Sequence, residues 1–484
     1  MDEREAYHNG LRSVSPLSGR EILFCRGLEK HLSEAALHRN RAIVEVENLI
    51  ALSESDLLSK PQINEDTKNR IRTIANIEFD PSAVADYDHF GKRGKGPFEH
   101  DVKSVEVYLR EKFDEDPKLR PLMEFIHFPM TSEDVNNIAY NLMLRDAVND
   151  VWMPRVLEVG DQLSELSERY AHTPVIGKTH GMNASPTTMG KRFAYHLDKL
   201  TGVLEVLRGQ KLKAKFSGPV GNHNAMQAVL PDFDFESYAR RLVERFGFEY
   251  SSIENQRISH QSQVELLNNI QLVNLIGADL SENVRHNVMM DWMYLEGNPS
   301  HVGSSVMPHK INPWLFEVGQ GYFEISDTLI NGSRSGLIQS VLERDLTDHP
   351  WERMYGEMIG YSLVGLSYLH EGLPMLRVDE QKCLDDLSAS PEVLSEAVQI
   401  AGRTLGVQDV YMKIKEATRG KKITIDRLRE VIHETIPEGE MRDKLMRLSP
   451  AEYIGKAPEL VYAATERYKS LKSQLVKGIL GAKK

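Results

Sequence analysis

The 484-residue sequence predicts an all-α protein built around a central bundle of long helices. Proline, which interrupts an α-helix, is absent between Pro186 and Pro219 and between Pro231 and Pro299, so multi-turn helices fit both stretches. Both stretches are rich in Leu, Glu, Lys, Arg and Ala, which favour helix. Alternating β-branched segments bounded by hairpin turns, the pattern typical of strands, are nearly absent.

Three helices can be located along the chain. The first begins at Thr131, because Thr-Ser-Glu-Asp places Asp134 three residues after a capping threonine. A second long helix is expected to follow Pro186. The third is the clearest: over Leu266–Val284 apolar residues recur at alternating steps of four and three, with Gly277 allowing close approach. We expect this seam to have more apolar surface than one subunit covers, which predicts bundling between subunits.

Glycine-rich segments divide the helical pattern. They lie at Phe90–Pro97 and Glu296–Pro308. The sequence has no internal repeat of the length that solenoid proteins use. We predict an N-terminal helical domain over 1–120, a central long-helix bundle domain over 121–373 and a C-terminal helical domain over 374–484.

Composition limits the partners and the location. The net charge of −12 argues against nucleic-acid binding, which needs a basic surface, but it allows a local basic pocket for a small anion. Cys25 and Cys383 are far apart, so neither a disulfide framework nor a thiolate zinc site is indicated. The polar, acidic start is unlike a secretory signal, and no apolar run of about 18 residues predicts a membrane span. We expect a cytoplasmic protein without a membrane partner.

Familiar cofactor motifs are incomplete. Gly177-Lys178-Thr179 resembles the end of a phosphate-binding loop, but His172 stands where that loop needs glycine. His370-Glu371 and His433-Glu434 lack the second histidine of a zinc protease motif. The sequence therefore predicts neither a catalytic metal nor an organic cofactor.

The segment 303–312, Gly-Ser-Ser-Val-Met-Pro-His-Lys-Ile-Asn, has the residues that an elimination reaction needs. Two hydroxyls are followed by a cation, Lys310, and an amide, Asn312, and the carboxylate of Glu317 comes one to two helical turns later. A serine acts as a base only where a positive field lowers its pKa, which Lys310 can supply. Lys310 and Asn312 can also hold a substrate carboxylate as its negative charge grows. Taken alone, a Gly-Ser-Ser turn is more often only a solvated loop.

This string resembles the conserved segment of the fumarase/aspartase superfamily, whose members eliminate fumarate from succinyl-type substrates. Further segments, in the same order along the chain, make the sequence resemble the adenylosuccinate lyase family, particularly its bacterial-type branch. They are Val14-Ser15-Pro16, Gly19-Arg20, His100-Asp101-Val102-Lys103, Phe125-Ile126-His127-Phe128, Thr131-Ser132-Glu133-Asp134, Asn136-Asn137, Thr179-His180-Gly181, Gly221-Asn222, Arg344-Asp345-Leu346-Thr347-Asp348 and Thr418-Arg419-Gly420-Lys421.

The resemblance implies three catalytic roles. His180 would be the general acid that protonates the purine exocyclic nitrogen as it leaves. Glu317 would hydrogen-bond His180 and keep it protonated. Ser304 would remove the Cβ proton of the succinyl group.

The resemblance also implies the binding residues, the partners and the assembly. The substrate carboxylates would be held by Lys310, Asn312, Thr131 and Ser132, the last two at a helix start where free N–H groups favour anions. The nucleotide would face Arg20, His100, Asp101 and Arg344. Gln256 would lie near the succinyl portion of the substrate. Ser305 would also bind the substrate. The resemblance thus leads us to expect a nucleotide substrate and no cofactor. It also implies a homotetramer in which each active site is built from three subunits.

Five departures from the family pattern affect the presumed nucleotide side. They are Glu21 in place of Tyr, Glu99 in place of Asn, Met182-Asn183 in place of Gln-Pro, Val341 in place of Arg, and His349-Pro350 in place of Ser-Thr. Two alternatives stay open: a sister lyase acting on another succinyl compound such as argininosuccinate, and a structural or binding protein that keeps the scaffold without the activity.

Overall fold

The computed structural model describes residues 3–55, 57, 63–297, 306, 307, 309–420, 423–476 and 480. The N-terminal part contains α1 (Glu3–Gly10), α2 (Ile22–Cys25), α3 (Glu29–Leu32), α4 (Glu34–Ser53), α5 (Glu65–Ala75), α6 (Pro81–Ala85) and α7 (Asp101–Asp114). The central part contains α8 (Ser132–Ala147), α9 (Met153–Arg169), β1 (Pro174–Thr179), β2 (Met182–Thr188), α10 (Met189–Gly209), β3 (Lys213–Ala214), α11 (Asn224–Val229), α12 (Phe235–Arg245), β4 (Glu249–Tyr250), α13 (Gln261–Met289), β5 (Met293–Leu295), α14 (Trp314–Ile338), α15 (His349–Arg353) and α16 (Tyr355–Gly372). The C-terminal part contains β6 (Leu376–Val378), α17 (Glu380–Ser388), α18 (Ser395–Thr404), α19 (Val410–Thr418), α20 (Ile425–Thr435), α21 (Glu440–Arg447) and α22 (Ala457–Leu475).

The predicted helix starts are confirmed. Thr131 caps α8 in a capping box, in which the Thr131 amide donates to Asp134 Oδ2 at 2.9 Å. The long helix expected after Pro186 is α10, and the apolar seam lies on α13, which is 29 residues long.

Helices α13, α14 and α16 form the centre of the bundle, and two glycines allow them to pack closely. A Cβ placed on Gly277 of α13 or on Gly365 of α16 would lie 2.6 Å from the ring of Phe323 on α14. The Phe323 ring is therefore held between two backbones, which confirms the close approach predicted at Gly277.

The seam on α13 is covered within one chain, contrary to the sequence-based expectation. Leu266, Ile270, Val273, Leu280 and Val284 are each at most 2 % exposed in the single subunit. The expectation was wrong because α14 and α16 pack over this face of α13 and leave no seam for a second subunit.

The all-α class is confirmed, with three two-stranded sheets added among the described residues. Strands β1 and β2 form an antiparallel hairpin, β3 pairs in parallel with β4, and β5 pairs antiparallel with β6. The hairpin turn uses His180 (φ +54°) and Gly181 (φ +78°), and two left-handed residues in succession suit the right-handed twist of a hairpin.

Two apolar cores lie under these elements. The smaller one joins α4 to α7 through residues such as Ile50, Ile71, Val84 and Phe113. The larger one runs from the central bundle into the C-terminal helices without a break, and α22 packs back on α9 and α10. The domain limits at 120 and 373 stay predictions. None of the described helices is both long and apolar enough to cross a membrane.

Candidate active site

Six of the predicted site residues lie at one end of the bundle. His100 and Asp101 begin α7, Thr131 and Ser132 begin α8, and Gln256 and Arg344 lie in the loops before α13 and after α14. His100 caps its helix by accepting from the Lys103 amide through Nδ1, and its Nε2 lies 3.5 Å from Ser132 Oγ. The starts of α7 and α8 are thus brought together.

Asp101 is held by two guanidinium groups. Its Oδ2 lies 2.8 Å from Arg41 and 2.9 Å from Arg353. Burial alone would raise the pKa of Asp101, but Arg41 and Arg353 outweigh it and hold the pKa well below its usual value. Asp101 is therefore a fixed anion that positions two cations at the edge of the site.

Arg344 is held in a similar way from the opposite side. It donates to Asp348 at 2.7 and 3.0 Å and lies 3.5 Å from Glu133. Burial alone would lower the pKa of Arg344, but the carboxylates of Glu133 and Asp348 outweigh burial and raise it. The cation is thus fixed beside the start of α8.

Asp134 connects the start of α8 to the loop after β3, a role that the sequence showed only as a helix cap. Its carboxylate accepts from the Ser217 amide at 2.9 Å and the Gly218 amide at 3.1 Å and pairs with Lys215 at 3.0 Å, where both side chains are fully buried. Further along the loop, the Pro219 carbonyl accepts from Gln256 Nε2 at 2.9 Å. No local pattern at Lys215 points to this pairing, because its partner is 81 residues away along the chain.

His180 lies exposed at the tip of the β1–β2 hairpin, next to the Thr179–Met182 pair that closes the ladder. Glu317, predicted to orient it, lies on the first turn of α14, where its Oε1 is 3.8 Å from Arg285 Nε. Within one chain the predicted hydrogen bond between Glu317 and His180 is not formed, and among the described residues the His180 side chain has no hydrogen-bond partner.

The remaining predicted residues precede α14. Lys310 is exposed, and its amide donates to the Met307 carbonyl at 3.1 Å; Asn312 follows it and is half-buried. Ser304 and Ser305 lie outside the described residues.

The length of α14 separates Glu317 and Lys310 from the group at the other end of the bundle. Arg257, next to Gln256, donates to the Leu337 carbonyl at 2.7 Å, so Gln256 lies beside the last turn of α14. At about 1.5 Å per residue, the 25 residues of this helix span about 37 Å. One chain therefore cannot bring Lys310 and Gln256 to the same small molecule.

Glu21, a departure from the family pattern, is an internal anchor. It is 3 % exposed and accepts hydrogen bonds from Tyr322 at 2.9 Å and Tyr368 at 3.0 Å, whose rings stack with centroids 6.0 Å apart. Burial and the neighbouring carboxylate raise the pKa of Tyr368 to about 12. Arg20 lies 3.5 Å from Glu21 and stays largely exposed, so its guanidinium is tethered at the surface.

The other departures have varied surroundings. Val341 is exposed, while its amide donates to Asp345 at 2.6 Å. His349 accepts a hydrogen bond through Nε2 from Arg353, one turn later on α15. Asn183 accepts from Lys178 at 2.6 Å and donates to Ser390 at 2.9 Å, which ties the His180 hairpin to the C-terminal helices.

Two solved structures share this fold. A 3-carboxy-cis,cis-muconate lactonizing enzyme from Pseudomonas putida has a TM-score of 0.70 at 22 % identity, and a fumarate lyase from Mesorhizobium sp. BNC1 has a TM-score of 0.71 at 18 % identity. Each comparison covers 92 % of this chain and 98 % of the other chain.

Sequence comparison is more specific. A family profile described as "Lyase" matches residues 99–323, and one described as "Adenylosuccinate lyase C-terminal" matches residues 340–454. Adenylosuccinate lyases of Legionella pneumophila (strain Corby) and Escherichia coli (strain K12) are each 32 % identical, over 94 % of this chain and 98 % of theirs. The Haemophilus influenzae adenylosuccinate lyase is 32 % identical over 93 % of this chain and 98 % of its own. The chain therefore belongs to the adenylosuccinate lyase family.

Proposed function

We propose that this protein is a carbon–nitrogen lyase that cleaves adenylosuccinate to AMP and fumarate without a metal or organic cofactor in the reaction. The same site would release fumarate from the succinylated aminoimidazole carboxamide ribotide, since both substrates carry a succinyl group on the nitrogen that leaves. The full-length similarity to adenylosuccinate lyases, with His180, Ser304, Lys310 and Asn312 all kept, is the observation that carries this proposal.

The elimination needs two proton transfers, one at each end of the Cα–Cβ bond of the succinyl group. A proton leaves Cβ, and another is delivered to the nitrogen that departs from Cα. Ser304 takes the Cβ proton, the electrons of that C–H bond form the double bond of fumarate, and the C–N bond breaks. His180 donates a proton to the departing nitrogen, so the amine leaves neutral. Lys310 and Asn312 stabilise the carboxylate next to the developing carbanion.

The separation along α14 supports a site shared between copies of the chain. Because Lys310 and Gln256 cannot meet within one chain, a site that uses both must combine residues from different copies. We propose a homotetramer in which three subunits supply each site. Leu272 and Leu275 on α13 and Ile325 on α14 are 47, 51 and 44 % exposed, and they supply apolar surface for such contacts between bundles.

A cytoplasmic location is consistent with this activity. Cys25 and Cys383 are buried free thiols, which fits a reducing compartment.

The proposed activity is tested by adding adenylosuccinate to the purified protein and following the purine absorbance, with fumarate measured independently. Parallel reactions contain argininosuccinate or the succinylated ribotide. We expect AMP and fumarate in equal amounts from adenylosuccinate, and fumarate from the ribotide. Release of fumarate from argininosuccinate alone would contradict the proposal and favour a sister lyase, whereas no fumarate from any substrate would favour a protein without the activity.

A further inference from the structure

Three buried side chains from separate parts of the chain converge behind the start of α8. Glu133 is on α8, His260 precedes α13 and Glu352 is on α15, and one ligand atom from each lies within 4.8 Å of the other two. Each residue is at most 2 % exposed. We call Glu133, His260 and Glu352 the buried triad.

The polar atoms of the buried triad are unsatisfied. Among the described residues, both carboxylate oxygens of Glu133 and of Glu352 and the Nδ1 atom of His260 have no hydrogen-bond partner. Arg344 approaches Glu133 at 3.5 Å, which is an ion pair without hydrogen-bond geometry. Buried polar groups without partners are rare in folded proteins because losing water without replacement is costly. Four such carboxylate oxygens in one place, beside a buried histidine, indicate a ligand.

The nitrogen of His260 that faces Glu352 is Nε2, which lies 3.9 Å from Glu352 Oε1 and 3.3 Å from Asp348 Oδ2. Asp348 in turn pairs with Arg257 at 2.9 Å and Arg344 at 2.7 Å. Burial lowers the pKa of His260, which favours the neutral ring. A neutral ring has one nitrogen lone pair with which it can bind a cation beside the two glutamates.

The local charge favours a cation. Among the described residues, the carboxylates of Glu133 and Asp348 form ion pairs with two guanidinium groups, from Arg257 and Arg344, and Glu352 adds a third carboxylate. Two further nearby cations, Lys215 and Arg41, pair with Asp134 and Asp101 instead. Burial raises the pKa of both Glu133 and Glu352, and their mutual repulsion adds to this for Glu352. A bound cation would offset both effects.

A cavity lies next to the buried triad. Glu352 forms part of the wall of a cavity of about 380 Å³, together with Tyr140 and Tyr355. The hydroxyls of these two tyrosines are also buried without hydrogen-bond partners among the described residues. The cavity therefore reaches one of the three proposed ligands, Glu352.

We propose that Glu133, His260 and Glu352 bind one divalent transition-metal ion of the Zn²⁺ or Mn²⁺ type. One imidazole and two carboxylates are a donor set that both ions accept. The ion links α8, α13 and α15 and stabilises the fold there. It takes no part in the elimination, so the inference stands independently of the proposed function.

The test uses the full chain, stripped of metal by dialysis against a chelator. Mn²⁺ and Zn²⁺ are titrated separately, with binding followed by calorimetry, bound Mn²⁺ by electron paramagnetic resonance, and stability by thermal melting. We expect one ion per chain and a higher melting temperature with metal. Glu352→Gln and His260→Gln should each weaken binding at least about tenfold. Glu357→Gln, which changes a glutamate of the same cavity outside the triad, should bind as the unmodified chain does.

Two results would overturn the proposal. In the first, the stripped unmodified chain binds neither ion and melts at the same temperature with and without them, which would mean that the two glutamates share a proton. In the second, folded Glu352→Gln and His260→Gln bind the ions as tightly as the unmodified chain, which would place the ion elsewhere. The first measurement needs no variant, so it decides the question even if a variant fails to fold.

Discussion

Asp134 shows how one buried carboxylate can position several groups of the candidate site. It fixes the Thr131 amide, the Ser217 and Gly218 amides and the Lys215 ammonium at once. Thr131 and Ser132 therefore keep their places relative to the loop that holds Gln256.

Asp134→Asn should be strongly destabilising. The amide oxygen can still accept from the backbone, but Lys215 becomes a buried charge without its counter-ion, which costs about 3 to 5 kcal/mol. Urea denaturation measures the loss in the free energy of unfolding. Adding Lys215→Met should recover part of it, and a single variant as stable as the unmodified chain would contradict this role.

Asp101 should make stability depend on acidity. Its pKa in the folded chain is held below the unfolded value of 3.8, so its ion pairs with Arg41 and Arg353 stabilise the fold above that value. This contribution declines as the pH falls below the unfolded value and is lost once the pH has passed through the folded pKa. Between pH 5 and pH 3, Asp101→Asn should lose less stability than the unmodified chain, as measured by thermal melting. If the melting temperatures of the two proteins fall equally over this pH range, Asp101 does not have this role.

At the scale of single elements, Gly277 sets how closely α13 and α14 approach. Gly277→Ala should destabilise the fold by about 1 to 3 kcal/mol, because the added Cβ meets the Phe323 ring and the Leu369 side chain. Gly202→Ala on α10 is the matched control: its nearest neighbour is 4.0 Å away, so the better helix propensity of Ala should stabilise slightly. If urea denaturation gives both variants the same stability, the packing account of Gly277 is wrong.

Sequence patterns predicted the helices better than the short strands. The capping box at Thr131 and the periodic seam of α13 are local features, so they could be seen without the fold. The His180 hairpin could not, since its turn is His-Gly and its second strand contains Pro186. Its position depends on packing against α17 and on the hydrogen bond from Asn183 to Ser390. Both contacts join parts of the chain that are far apart in sequence.

At the scale of the whole molecule, the resemblance names the candidate site residues and implies a site shared between subunits, and the structure adds where each residue lies along one chain. Lys310 and Glu317 lie at one end of α14, while Thr131, Gln256 and Arg344 lie near the other. The expectation about the α13 seam failed because periodicity shows that a face is buried, but not which chain buries it.

The central claim is that each site combines residues from different subunits, and subunit mixing tests it most directly. His180→Ala and Ser304→Ala should each lose about 10² to 10⁴-fold in turnover, as expected for removing one acid or base. Equal amounts of the two variants are then mixed and allowed to exchange subunits, with each variant mixed with itself as the control. With random exchange, about a quarter of the sites should receive His180 and Ser304 from suitable chains, so the mixture should recover activity toward that fraction. A mixture of folded, exchanging variants that stays as inactive as its controls would contradict the shared site.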